Sequence, residues 1–187
     1  GHAADRVLVT AATPLGVSVF VVDGATEGLK RQSVKCMDGH RAAMLSLDCT
    51  VAADRLIGGE GGAAVALERA MDLGAAAACA EGYGIMNTVL AMTIEYLKTR
   101  EQFGQKIGTF QALQHRAVDM FVEAQLAKSV AIMAAIKAGD GDVDERKRAI
   151  SSAKAQLAVS GKFVTQQAIQ LHGGIGVTDE HDVGLYF

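Results

Sequence analysis

Hydrophobic positions change their period once along the chain. Up to about residue 58 they alternate or run in short β-branched stretches. Val7, Val9 and Thr10 open one, and residues 16–22 (GVSVFVV) form a second, bounded by Pro14-Leu15-Gly16 and Asp23-Gly24. Leu45, Leu47, Cys49 and Val51 alternate with Ser46, Asp48 and Thr50, a pattern that gives a strand one buried and one wet face. About four strands are expected, antiparallel because their connections are too short for crossover helices. From about Gly61 the period becomes helical. Leu113, Ala117, Met120, Phe121, Ala124 and Ala131 recur on one face, while Gln114, Arg116, Asp119 and Glu123 fill the other. The spacing predicts long helices over residues 61–102, 110–138 and 144–171, broken at 103–109 and at Gly139-Asp140-Gly141-Asp142. Thr109, and Asp142 or Asp144, are the candidate N-caps.

The expected fold is α+β: a partial antiparallel β-domain over residues 1–58, then a helical domain of four-helix-bundle type over 59–187. The first helix would run about 60 Å at ~1.5 Å per residue, long for a compact bundle, and its Ala and Met on both faces point to packing against other subunits. Strands that begin at the first residue, and a segment over 179–187 that starts amphipathic and stops, suggest that the natural chain extends further at both ends.

Composition narrows the classes. The 187 residues are half hydrophobic, enough for a buried core, and the net charge of −3 indicates no general affinity for nucleic acid or anionic membrane. Cys36, Cys49 and Cys79 form no CxxC pair and read as reduced thiols of a cytoplasmic protein. The start, GHAADRVLVTA, is no signal peptide, and no apolar run is long enough to span a bilayer, so a soluble protein is expected. No His, Cys and acid cluster has ligand spacing, so no metal site is expected.

Three stretches carry a likeness. Residues 96–108 read YLKTREQFGQKIG and run directly into TFQALQHR; residues 170–186 read QLHGGIGVTDEHDVGLY; residues 45–58 lead from a strand into a long helix. In order and spacing the whole chain resembles the acyl-CoA dehydrogenases, from the second half of their middle β-domain through most of their C-terminal helical domain. MDGHRAAMLSLD, FQALQHR and HGGIGVTDEHDVGLYF are most similar to small subunits of heteromeric bacterial members acting on dicarboxylic (pimeloyl-type) or steroid-derived thioesters.

The resemblance implies FAD as cofactor and assigns residues to it. Arg100 would reach across a subunit interface to the FAD diphosphate, a role that suits a planar, permanently charged fork of donors. On the residues alone, a helix-end arginine also serves by satisfying terminal carbonyls. Gln102 would add a donor to the same diphosphate, and Phe103 would pack beside the cofactor or anchor the turn as a core aromatic. Phe110 and Gln111 would border the adenosine end. Gln170, Leu171, His172, Gly173 and Gly174 would line the diphosphate and ribose, the glycines because backbone N–H groups approach an anion only where no Cβ intervenes. His172 reads equally as a residue that hydrogen-bonds backbone; His115 and His181 read as surface or interface histidines.

The same resemblance implies a dehydrogenation that needs a carboxylate near the thioester α-carbon, to take a proton while a hydride passes to the flavin. Of the two family locations for that base, one lies beyond Phe187 and the other falls on Gly74, with Ala75 next to it. Glu68 and Glu81 lie more than a helical turn from 74 and are no easy substitutes. Asp72 matches a position near the thioester and reads equally as a solvated acid; Gly74 with residues 75–77 would widen a substrate cavity. No catalytic residue is assigned. Two readings stay open: an acyl-CoA dehydrogenase of fatty acid or steroid side-chain degradation, or a non-catalytic FAD-clamping subunit of a heteromeric enzyme. A plain helical oligomerisation module is a third. The implied partners are an acyl-CoA substrate, an electron-transfer flavoprotein, and further chains in a homo- or hetero-oligomer, a dimer of dimers.

Overall fold

A computed structural model describes residues 2–36 and 39–187; Met37 and Asp38, the start of the MDGHRAAMLSLD stretch, lie outside the described residues. The chain forms two compact units, Gly1–Arg69 and Ala70–Phe187.

In the first unit, β1 (Arg6–Thr13) and β2 (Gly16–Asp23) pair antiparallel across Pro14-Leu15, where a proline presets the turn and withholds no ladder donor. β3 (Leu29–Lys35) and β4 (Arg41–Leu47) form a second antiparallel pair, and the short β5 (Leu56–Ile57) joins β2. The four main strands are antiparallel as the pattern requires, but they divide between two sheets. The last ends earlier than its alternation suggests, so Cys49 and Val51 lie beyond it. Asp48 N–H donates to the Gly28 carbonyl at 3.0 Å, one step beyond the Leu29–Leu47 pair and in the same register, and the partner strand begins only there, after the turn at residues 24–28. Gly28 holds φ at +88° with the Asp48 carbonyl where a Cβ would sit, so only glycine fits. Ser18 is fully buried and its hydroxyl accepts the Gly61 N–H at 2.8 Å, fixing the approach to the first helix.

The helices are α1 (Ala64–Thr99), α2 (Gln111–Lys137) and α3 (Val143–His172), close to their expected limits, so the α+β architecture holds. With 36 residues, α1 is about 54 Å long. Asp142 caps α3, its carboxylate accepting from the N–H groups of Asp144 and Glu145. Thr109 caps nothing. It lies one residue short of the cap position of α2, which Phe110 takes without a side-chain bond, and its hydroxyl donates to the Lys106 carbonyl instead.

In the second unit one apolar cluster joins Met86, Val89, Leu90 and Leu97 of α1 to Met120, Ala124 and Ala127 of α2 and Val164, Ala168 and Leu171 of α3. A second joins Ala76 and Cys79 to Ala131, Ala134, Ile150 and Ala153, where small side chains let the helix backbones approach. Phe121, expected on the inner face of α2, is half exposed; at helical spacing it falls with Val122, Leu126 and Ile132 on the outer side. Polar ties cross the same helices. Arg146, nearly buried, binds the Asp72 carboxylate at 2.8 Å. The Ser160 hydroxyl donates to Glu123 at 2.6 Å and accepts from Gln156 at 2.9 Å. No helix among the described residues is long and apolar enough to cross a membrane.

Candidate functional site

The last turn of α1 sets up one wall. Arg100 N–H still donates to the Tyr96 carbonyl at 2.9 Å, and the Arg100 carbonyl accepts from Ile107 N–H at 2.9 Å, so the chain leaves the helix and returns at once. Between them β6 (Glu101–Gln102) and β7 (Gln105–Lys106) form a minimal hairpin. Its turn residues, Phe103 and Gly104, both have positive φ, +55° and +78°, the geometry that matches the twist of a two-residue hairpin. A Lys106–Glu101 bridge of 2.6 Å spans it and holds the Glu101 carboxyl below its usual range. The Phe103 side chain is 90% exposed and meets Phe110 edge-on, ring centroids 6.1 Å apart.

The end of α3 forms the other wall. Gly173 stops the helix with φ +64° and ψ −140°, its N–H closing on the Gln170 carbonyl, and the chain continues as a 3₁₀ turn over Gly173–Val177. His172, 2% exposed, places Nδ1 2.7 Å from the Ala168 carbonyl oxygen and stacks on Tyr96 with centroids 4.5 Å apart. His181, read as a surface or interface histidine, is half-buried: the turn after Gly173 brings its ring within 4.5 Å of the same imidazole. Burial, first, and the neighbouring His181 push the His172 imidazole below its ordinary range, against the opposing pull of the Ala168 carbonyl.

Between the two walls lies a cleft of about 650 Å³. Arg100 and Gln102 line it from the hairpin side, with Tyr96, Ile107 and Leu113; Gln170, Leu171, His172, Gly173 and Gly174 line it from α3, with Ile175, Thr178 and Glu180. Residues separated by seventy positions in sequence thus converge on one space. No hydrogen bond or ion pair engages the Arg100 guanidinium among the described residues. A Cβ built on Gly173 or Gly174 would meet nothing of the protein within 4 Å, so both backbones face open space. Donors on one wall and bare backbone on the other suit an anion with several acceptor oxygens.

Other sequence-chosen residues lie elsewhere. Phe103, Phe110 and Gln111 sit on the hairpin tip and at the start of α2, outside the cleft. Asp72 gives its carboxylate to Arg146 rather than to solvent or an open space, which corrects its reading as a solvated acid. Gly74 is exposed on α1, with nothing within 4 Å of its Cβ position. Tyr96, Thr178 and Glu180 were not chosen from sequence. Tyr96 carried a usable signal, since it stands one helical turn before Arg100 and so on the same face. Among the described residues no three His, Cys, Asp or Glu side chains are grouped to hold a metal.

The comparisons converge on one family. Residues 60–187 match the family model described as "Acyl-CoA dehydrogenase, C-terminal domain". Acyl-CoA dehydrogenase IpdE2 of Mycobacterium tuberculosis is 41% identical over 118 residues, covering 62% of this chain and 34% of that protein. Among solved structures, a Tcur3481–Tcur3483 steroid ACAD superposes with a TM-score of 0.85 at 34% identity, covering 98% of this chain and 48% of that one. The ChsE4–ChsE5 complex from Mycobacterium tuberculosis gives 0.82 at 31% identity, covering 98% and 49%. The chain spans about a third to a half of the length of these relatives. With the family model matched from residue 60 to the last, across both walls of the cleft, this chain belongs to the acyl-CoA dehydrogenase family.

Proposed function

We propose that this chain forms part of an FAD-dependent enzyme that dehydrogenates an acyl-CoA thioester to the enoyl-CoA. The observation that carries the reading is the meeting of an unpaired Arg100 guanidinium with the bare Gly173-Gly174 backbone across one cleft. The donor set fits a dinucleotide diphosphate: Arg100 offers a planar fork, Gln102 an amide, and the glycines leave room for close backbone approach. Tyr96 and Leu113 supply apolar area beside them. FAD, when bound, supplies the hydride acceptor. Phe103, Phe110 and Gln111 would meet it from a neighbouring subunit, a role that suits the exposure of Phe103 at a hairpin tip. The assembly is then an oligomer, cytoplasmic, passing electrons to an electron-transfer flavoprotein.

A second reading is favoured by a specific observation. Gly74 and Ala75 bring no carboxylate to one of the two family positions for the base. Two similar structures are, by their names, pairs of different chains. On this reading the chain clamps FAD within a heteromer, and the partner performs the proton abstraction. The open space at Gly74 suits a bulky or polar acyl group such as a dicarboxylic or steroid-derived thioester, whereas Ala76, with Ala75 beside it, packs into the helix core and widens nothing.

The test is an assay of the full-length protein, alone and with candidate partner chains, against short straight-chain, dicarboxylic and steroid-derived CoA esters, with enoyl-CoA as readout. Turnover by this protein alone supports the enzyme; turnover only with a partner supports the clamp. Turnover confined to short straight-chain esters contradicts the wide-cavity reading. No turnover and no bound flavin in any combination contradicts both.

A further inference from the structure

The stretch after Gly173 is held to the helices by an apolar anchor that a histidine caps. His181 precedes a 3₁₀ turn over Asp182–Tyr186, and its Nδ1 accepts the Val183 N–H at 3.1 Å. A ring nitrogen that accepts from an amide carries no proton, so His181 is neutral in this geometry, with its hydrogen on Nε2. The bond sits beside the anchor itself. Val183 is fully buried in the apolar cluster of α1, α2 and α3, and Tyr186 packs against the same cluster.

The surroundings make that bond sensitive to one proton. The His181 ring is half-buried, and a cavity of about 450 Å³, lined by it with Ile169, Asp179 and Leu185, brings solvent to it. From α3 the His172 imidazole lies 4.5 Å away, and from α1 Tyr96 meets it edge-on at 6.2 Å. Arg100 of α1 lines the neighbouring cleft with Glu180 and His172. Along its own segment stand the carboxylates of Asp179, Glu180 and Asp182, all exposed. The facing ring stays neutral: burial holds His172 below its ordinary range, and its Nε2 has no hydrogen-bond partner among the described residues. A proton entering from the cavity meets His181 at Nδ1, the lone pair that holds Val183.

We propose that His181 is an acid-sensitive latch for residues 178–187. Neutral, it caps the turn and keeps Val183 seated. Protonated at Nδ1, it sets a donor against the Val183 N–H, the cap is lost, and the turn carrying Val183 and Tyr186 opens from the helices more readily. Thr178 and Glu180 lie on the same stretch, so the cleft loses that part of its lining while Arg100, Gly173 and Gly174 keep their places. The inference stands on the fold of this segment and needs no cofactor.

The test is hydrogen–deuterium exchange of the full-length protein in its native assembly, read by mass spectrometry at about pH 8 and about pH 5 and corrected for the intrinsic pH dependence of exchange. Peptides over residues 178–187 should lose protection about three- to thirtyfold at the acid pH, the range a lost N-cap gives, while α2 keeps its own. His181→Asn supplies a capping oxygen that does not titrate and should hold the segment closed at both pH values. Unchanged protection in the wild type overturns the inference. So does tighter protection in acid, the result if a charged His181 donated to the bare Nε2 of His172 and locked the turn. Both wild-type outcomes count whether or not the variant folds. An equal acid loss in His181→Asn, or a loss that α2 shares, overturns it as well.

Discussion

His172 stacks on Tyr96 with ring centroids 4.5 Å apart and planes 28° from parallel, joining the last turn of α3 to the last turns of α1. The contact has a geometric consequence. Tyr96 stands one turn before Arg100, and His172 immediately precedes Gly173, so one ring pair sets the spacing between the two walls of the cleft. A change at either ring moves Arg100 or the Gly173 turn without touching it.

The pH dependence of stability follows from the same ring. Burial holds the His172 imidazole below its ordinary value of 6.5 in the folded chain, so the unfolded chain takes up that proton at higher pH. The resulting stability is complete above the ordinary histidine range and is lost as pH falls from there toward the lowered value. Thermal melts between about pH 8 and about pH 5 should show Tm falling on the acid side, and His172→Phe should flatten that limb. An identical acid limb in the variant would assign the effect to other groups.

Asp72 belongs to helix packing. Its ion pair with Arg146 is 16% and 4% exposed on the two sides, dry enough that losing the carboxylate is felt. Asp72→Asn should cost about 2 kcal/mol by denaturant unfolding, the range for a hydrogen bond to a charged group. Unchanged stability with weakened thioester binding would return Asp72 to the substrate site.

The Ser160–Glu123 hydrogen bond of 2.6 Å ties α2 to α3 from a fully buried hydroxyl. Ser160→Ala should lower stability by about 1.5–3 kcal/mol and leave the cleft residues in place. A loss of flavin without a loss of stability would contradict a purely structural tie.

Phe103 occupies left-handed backbone, φ +55°, with 90% of its side chain exposed. A non-glycine residue pays about 1–2 kcal/mol there, with only the edge contact to Phe110 in return. Phe103→Gly should therefore be neutral or stabilising by up to about 1 kcal/mol while weakening FAD retention in the assembled protein. A variant that is destabilised and retains FAD normally would make Phe103 a plain turn anchor.

Much of this was legible in the residues themselves. The helices showed because their apolar period and glycine breaks are local signals, and the Asp142 cap showed because an acid before a helical run has one common use. Two misplacements and one unforeseen contact share a cause. Cys49 and Val51 alternate correctly, yet the partner strand starts only at Leu29, so no strand lies opposite them. Phe121 fits a helical face, but alanines at 124, 127 and 131 define which face meets α3. His181 reads as a surface or interface histidine, and its contact with His172 comes only from the turn after Gly173. Each outcome is set by a partner distant in sequence. The pairing of Arg100 with the HGG turn entered through family likeness; periodicity alone says nothing of it.

The central claim is that Arg100 and Gly173-Gly174 hold the diphosphate of FAD. The most direct measurement is the FAD dissociation constant of the assembled full-length protein and of its Arg100→Ala variant. A loss of about 1.5–3 kcal/mol is expected, roughly 10- to 150-fold, for one charge-assisted contact. Equal affinity in the two proteins would contradict it.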